Sequence, residues 1–125
     1  MYSEYCQGEN AVARLLTIYI EEAHPKDEWY LPDAVDIKNG NADNIFTHKS
    51  LSDRLSAASL FRDHKKLEMD ILVDSMKGQV CDRYEAWPER LYIIQDGVVV
   101  YKGGVGPQGY KIPEVQQFLK SKFNR

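Results

Sequence analysis

The residues best suited to chemistry in this 125-residue chain gather at one point: Glu21, Glu22 and His24 follow directly on the apolar run Leu15 to Ile20. A carboxylate beside an imidazole is a pairing for proton transfer. An imidazole with a pKa of about 6.5 changes charge near neutrality, and a neighbouring carboxylate can fix its tautomer. The same residues also suit a solvated strand end, with the carboxylates in a loop and His24 at the surface or capping a helix; taken alone they leave both readings open. No two histidines have metal-ligand spacing on one helix face, so no metal is expected. Cys6 and Cys81 lie far apart with no second thiol near either, which excludes a CxxC redox pair and leaves two free thiols as the expectation. Gly103, Gly104, Gly106 and Gly109 lack both the GxGxxG order and a Lys-Ser or Lys-Thr ending, so they read as turn makers and not as a phosphate loop.

The element that must position Glu22 and His24 is the run before them. Its β-branched and bulky residues predict a strand over Leu15 to Ile20, buried on both faces inside a layered sheet. Ligands of open α/β sheets bind at the carboxyl ends of the strands, where these side chains emerge. Pro25 to Thr47 reads as a long loop partly packed through Trp29 and Tyr30. Ser50, with Asp53 three residues on, caps a helix running to about Lys66 with Leu51, Leu55, Ala58 and Phe61 or Arg62 on its apolar stripe. Asp70 to Ser75 is a second strand, and strand, loop, helix, strand makes a parallel pair with a right-handed crossover. A short helix fits within Met76 to Trp87. Arg90 to Gln95 and Val98 to Lys102 form an antiparallel hairpin through Asp96-Gly97. Pro88, just ahead of it, is expected to be trans, given the small cis fraction of such bonds. A final helix carries Pro113 in its first turn and Val115, Phe118, Leu119 and Phe123 along one stripe. Upstream, Met1 to Asn10 reads as the end of a helix, with Tyr2 and Tyr5 facing the core and Gly8 and Asn10 stopping the turn.

Composition bounds the rest. The length suits one domain, 1–125, able to bury roughly two thirds of its unfolded surface. With 16 Lys and Arg against 19 Asp and Glu, the formal charge is -3 and no basic run offers a phosphate-backbone surface, so no nucleic-acid partner is expected. No apolar run approaches the roughly 18 to 20 residues that cross a bilayer, and Met1 opens no leader, so the segment reads as soluble.

The order parallel β, α, β, then β-hairpin and α looks like the later part of a thioredoxin-like fold. Four phrases, LLTIYIEEAHPKDEW, HKSLSDRLSAA, PERLYIIQDGVVVYKGGVGP and GYKIPEVQQFL, resemble the iodothyronine deiodinases, selenoenzymes that remove iodine reductively from thyroid hormones. The resemblance covers Leu15 to Phe123. It implies an α/β, thioredoxin-like domain with a peroxiredoxin-type insertion and a mixed sheet with flanking helices, the inserted pieces being the Ser50 helix and the Asp70 strand. Glu22 and His24 match the family's strand-end acid and histidine, which handle the proton. His48 matches a second family histidine in the hormone and proton network, and Trp87, Glu89 and Arg90 are placed against the hormone. No cofactor is bound; a thiol reductant is implied as co-substrate, and a homodimer and an upstream membrane anchor are implied for the intact protein.

Some positions depart from the family pattern. Nothing matches the selenocysteine nucleophile on the loop after the first strand, and Cys6 belongs to the tail of the following helix, so it is no stand-in. Met69 and Val105 stand where some members carry cysteine and arginine. The expectation is therefore a C-terminal portion lacking the first strand and most of the first helix, with Met1 an internal methionine downstream of a UGA selenocysteine codon, and with its sheet left as two half-sheets with open edges. Two other readings are a binding module that keeps the hormone cleft without catalysis, and a peroxiredoxin-like scaffold.

Overall fold

A computed structural model describes residues 1–30 and 45–124. The elements run α1 (Tyr2–Tyr5), β1 (Leu16–Tyr19), α2 (Leu51–Lys65), β2 (Asp70–Val73), α3 (Gln79–Tyr84), β3 (Tyr92–Gln95), β4 (Val98–Lys102) and α4 (Ile112–Phe123). They fall into two compact units: Leu16–Tyr84, and Met1–Leu15 with Glu85–Arg125. The centre of the predicted Pro25 to Thr47 loop, including Pro32 and the Asn39-Gly40-Asn41 cluster, lies outside the described residues.

In the first unit, β1 and β2 pair in parallel from Leu16 opposite Asp70 to Tyr19 opposite Val73, and the Asp74 amide extends the ladder by donating to the Tyr19 carbonyl at 2.9 Å. The parallel α/β crossover expected from the strand, helix, strand order is present. Burial of β1 on both faces is not: Leu16 is 44% exposed and Thr17, Ile18 and Tyr19 are half-buried. β-branched composition signals a strand, but the number of covered faces depends on what packs there. Among the described residues, β2 is the strand that pairs with β1.

The cap of α2 is as the sequence predicts, with Ser50 Oγ accepting from the Asp53 amide at 3.1 Å. Asp53 Oδ2 in turn accepts from the Lys49 amide at 2.9 Å, which closes a capping box one residue wider than usual. The buried stripe agrees with the predicted one only in part. Ala58 is buried as predicted, but Leu51 and Leu55 are about half exposed, at 48% and 49%, and Arg54 and Ala57 are buried instead. The two alanines leave room beneath the helix for one long side chain, and the Arg54 guanidinium fills it. Phe61 packs on Tyr19, ring centroids 5.6 Å apart. The helix ends at Lys66 in the left-handed conformation, φ 51°.

The second unit has an apolar centre. Tyr5, Val115 and Leu119 are buried together, with Leu91, Ile93, Tyr101 and Phe118 packed against them. Tyr5 takes the core place predicted for it, while Tyr2 stays half-buried. The β3–β4 hairpin turns through Asp96 (φ 51°) and Gly97 (φ 78°), the two positive φ values of a type I′ turn. A register shift between Ile93 and Ile94 lets the cross-strand pair Ile93 and Tyr101 face the core, while Ile94, Val98 and Val99 stay exposed. Beyond β4, the chain folds so tightly that a Cβ on Gly109 would come within 2.6 Å of Gly104 Cα, which requires glycine there. The Trp87–Pro88 bond is cis, as is Gly106–Pro107, against the expected trans form. The two forms of an X–Pro bond differ by only about 0.5 to 1 kcal/mol, so local packing decides between them. Among the described residues, no helix is long and apolar enough to cross a membrane.

Candidate active site

At the carboxyl end of β1 the chain leaves the sheet through Ile20 and Glu21, and Glu22 and His24 are both half-buried while Glu21 is exposed. His24 Nδ1 lies 3.0 Å from the Trp29 carbonyl oxygen, and its ring meets the Trp29 indole edge-on at 4.5 Å. A carbonyl only accepts, so Nδ1 carries a hydrogen, which leaves Nε2 as the nitrogen that can exchange a proton. Burial raises the Glu22 carboxyl above its ordinary range, and the charges of Arg54 and then His24 pull it part of the way back. Among the described residues no hydrogen bond or ion pair joins Glu22 to His24; the two act on each other through charge alone.

His48 stands on the segment that enters α2. Its Nδ1 accepts from Arg54 Nε at 3.1 Å, and its ring lies 6.0 Å from that of Tyr19 on β1. Nε2 is buried and meets no hydrogen-bond partner among the described residues. Burial lowers the His48 pKa, Arg54 lowers it further, and Asp53 partly restores it. Glu22, His24 and His48 thus share one neighbourhood, with Arg54 acting on both Glu22 and His48.

Two backbone ties hold the histidine-bearing segments. The Lys26 amide donates to the Ile45 carbonyl at 2.8 Å, and Asp27 Oδ1 accepts from the Thr47 amide at 2.7 Å and from the Thr47 hydroxyl at 3.0 Å. The Asp of the DxW phrase is therefore a clasp between the exit of β1 and the entry to α2. Beside it, a cavity of about 340 Å³ is lined by Asp27, Phe46, His48, Asp53, Ala57 and Leu60 among others.

Arg54 is the residue that sequence reasoning missed. Besides His48, its Nη1 donates to the Asp74 carbonyl at 3.2 Å and the Ser75 carbonyl at 2.7 Å, so one guanidinium joins α2 to the exit of β2. Asp74 is buried too; its carboxylate accepts from the amides of Ser75, Val80 and Cys81 at 2.8 to 2.9 Å and so caps the start of α3. The signal was present in the sequence: Arg54 precedes Ala57 and Ala58 by three and four residues, and small residues at that spacing open a face to a long neighbour.

Trp87, Glu89 and Arg90 belong to the other unit. Trp87 is 40% exposed. Glu89 packs its carboxylate against Gly106, and its carbonyl accepts from the Gly106 amide at 3.0 Å. Arg90 donates through Nε to the Gly103 carbonyl at 2.8 Å and through Nη1 to the Glu85 carbonyl at 3.1 Å, and its guanidinium lies 5.8 Å from the centre of the Tyr92 ring. Those bonds fix the base of the hairpin. Neither Cys6 nor Cys81 is in a disulfide, and burial raises the Cys6 thiol above its ordinary value, which disfavours the thiolate that a nucleophile requires. Among the described residues, no group of three His, Cys, Asp or Glu could hold a metal ion.

Residues 3–123 match the family model for iodothyronine deiodinase. The chain is 42% identical over 113 residues to a type I iodothyronine deiodinase of Xenopus laevis, covering 90% of this chain and 41% of that protein. It is 44% identical over 108 residues to a thyroxine 5-deiodinase of Gallus gallus, covering 86% and 39%, and 45% identical over 107 residues to one of Aquarana catesbeiana, covering 86% and 37%. The chain thus spans about two fifths of the length of these curated relatives.

Proposed function

The chain belongs to the iodothyronine deiodinase family, and we propose that it forms the proton-handling and hormone-binding part of an enzyme that removes iodine reductively from thyroid hormones. The observation that carries this reading is the placement of Glu22 and His24, both half-buried and two residues apart where the chain leaves the carboxyl end of β1, with burial raising the Glu22 carboxyl above its ordinary range. A carboxyl and an imidazole at one strand end are suited to deliver a proton to a ring carbon as iodine leaves. In this reading Glu22 and His24 move the proton and His48 positions the hormone; for Trp87, Glu89 and Arg90 the family resemblance alone supports a hormone-contacting role. The whole domain is read as thioredoxin-like, with α2 and β2 as a peroxiredoxin-type insertion.

Overall, an aryl iodide takes up two electrons and one proton to give the arene and iodide. The electrons come from a soft nucleophile, regenerated by a thiol reductant as co-substrate; no residue of this chain is assigned as that nucleophile. A second copy of the protein and a membrane association belong to the same reading of the whole enzyme.

A chimera tests it: this chain replaces the matching segment of the Xenopus laevis type I deiodinase, and iodide release from thyroxine is measured. The chimera is expected to release iodide, and His24→Asn to lower kcat by about 100-fold, the lower range of a general acid's contribution. A chimera that binds thyroxine yet releases no iodide would refute the catalytic assignment of these residues.

A further inference from the structure

We propose that Arg54 is a positioning residue that locks His48 in its neutral Nε2–H tautomer, so that His48 serves as a hydrogen-bond donor to an oxygen of the substrate and not as a proton carrier. The inference rests on the deiodinase reading for the identity of the substrate, but its physical core is independent of it. Arg54 Nε donates to His48 Nδ1 at 3.1 Å. A guanidinium has donors only and keeps its proton throughout the accessible pH range, so Nδ1 must hold a lone pair and the single ring hydrogen must sit on Nε2. Arg54 cannot readily turn away, because its Nη1 is bound to the Asp74 and Ser75 carbonyls and the residue is 4% exposed.

The consequence is a buried N–H that meets no acceptor among the described residues, on a histidine that lines the same cavity as Phe46, Ala57 and Leu60. Buried donors in native proteins are seldom left unpaired, and an orphaned one favours any ligand that brings an acceptor oxygen. The two histidines then have opposite tautomers. His24 gives its Nδ1 hydrogen to the Trp29 carbonyl and keeps a lone pair on Nε2, whereas His48 keeps its lone pair on Nδ1 and its hydrogen on Nε2. One can exchange a proton with the reacting centre; the other can only hold.

The charged and titratable groups around His48 agree with a neutral ring. Arg54 disfavours its charged form, Asp53 opposes that effect from the same helix, Tyr19 faces it from β1, and Glu22 interacts with Arg54.

Nitrogen NMR on the 125-residue chain with labelled histidines tests the tautomer without any activity. His48 is expected to show an unprotonated Nδ1 and a protonated Nε2, persisting to lower pH than the ordinary imidazole range. A protonated Nδ1, or the averaged shifts of two exchanging tautomers, overturns the proposal. The chimera described above supplies the kinetic test. Arg54→Lys keeps the charge but not the planar fork, and should raise the KM for thyroxine about tenfold, the scale of one lost hydrogen bond, with kcat within twofold. A fall in kcat at unchanged KM would make His48 a proton carrier and reject the assignment. If the chimera is inactive while the tautomer is as expected, the catalytic reading fails and the positioning role of Arg54 stands.

Discussion

The two units are held by opposite kinds of interior. In the unit containing α4 the buried side chains are Tyr5, Val115 and Leu119, an apolar cluster packed beneath a hairpin. In the unit containing β1 they are, among the described residues, Arg54 and Asp74 with Pro25 and the small Ala57, Ala58 and Cys81, so a guanidinium and a carboxylate bonded to backbone lie in its interior. Apolar packing tolerates exchanges of similar volume, whereas a buried polar network is stable only while every member keeps its partner. The unit with the candidate proton pair is therefore the one whose interior is sensitive to charge and to hydrogen bonding, and less to volume.

The largest effect expected to separate them comes from Arg54→Met, which conserves bulk but leaves two backbone carbonyls and His48 Nδ1 without their donor. A loss of about 4 kcal/mol is expected, each orphaned buried acceptor costing roughly 1 to 3 kcal/mol. Next is Leu119→Ala in the apolar cluster, at about 3 kcal/mol for the lost transfer energy and the cavity. Each unit carries one tryptophan, Trp29 and Trp87, so single-tryptophan variants allow urea unfolding of each to be followed by fluorescence. Arg54→Met should lower the Trp29 midpoint more than the Trp87 midpoint, and Leu119→Ala the reverse. Equal shifts of both signals from either substitution would mean that the units unfold as one, and the contrast in their interiors would lose its energetic meaning.

A smaller effect should follow from Ser50→Ala. It removes the oxygen that accepts from the Asp53 amide, and N-cap losses of this kind cost about 1 kcal/mol. Because α2 carries Arg54, fraying of its first turn should also broaden the His48 ring signals; a variant with full helicity and unchanged His48 signals would show that Arg54 is held from the β2 side alone.

How far these features were legible in the sequence follows from their range. The Ser50 cap, the Asp96-Gly97 turn, the parallel pairing of β1 with β2 and the α4 residues Val115, Phe118 and Leu119 depend on neighbours in sequence or on simple periodicity, and each is visible in the residue order; Phe123, expected on the same stripe, is 38% exposed at the end of the helix. The α2 stripe was legible at Ala58 and Phe61 but not at Arg54 and Ala57, because Leu51 and Leu55 also recur at helical spacing and hydropathy favours the leucines. The spacing of Arg54 to Ala57 and Ala58 marks it as a candidate for the buried face, but its role as a hub is not legible because its acceptors are the backbone carbonyls of Asp74 and Ser75, and a carbonyl has no sequence signature. Glu22 and His24 were found through the strand before them; the tautomers that distinguish His24 from His48 depend on the Trp29 carbonyl and the Arg54 guanidinium, which only coordinates reveal.

The smallest predicted effect lies in the pH dependence of the polar interior, where Glu22 and His48 pull in opposite directions. The Glu22 carboxyl is raised in the folded chain, so below the ordinary glutamate range both folded and unfolded states are protonated and it costs nothing. As pH rises from that range through the raised folded value, the unfolded chain ionises first and the folded chain loses relative stability. The His48 imidazole is lowered, so it costs nothing above its ordinary range; as pH falls through that range, the unfolded chain takes up the proton first and again the folded chain loses. Glu22→Gln should therefore raise the melting temperature slightly at neutral pH, with the gain vanishing at acid pH, whereas His48→Gln should lessen acid sensitivity. A Glu22→Gln variant whose advantage grew on acidification would show that Arg54 and His24 outweigh burial at Glu22. The Glu22 shift would then run the other way, below its ordinary range, and His24 would be left to supply the proton.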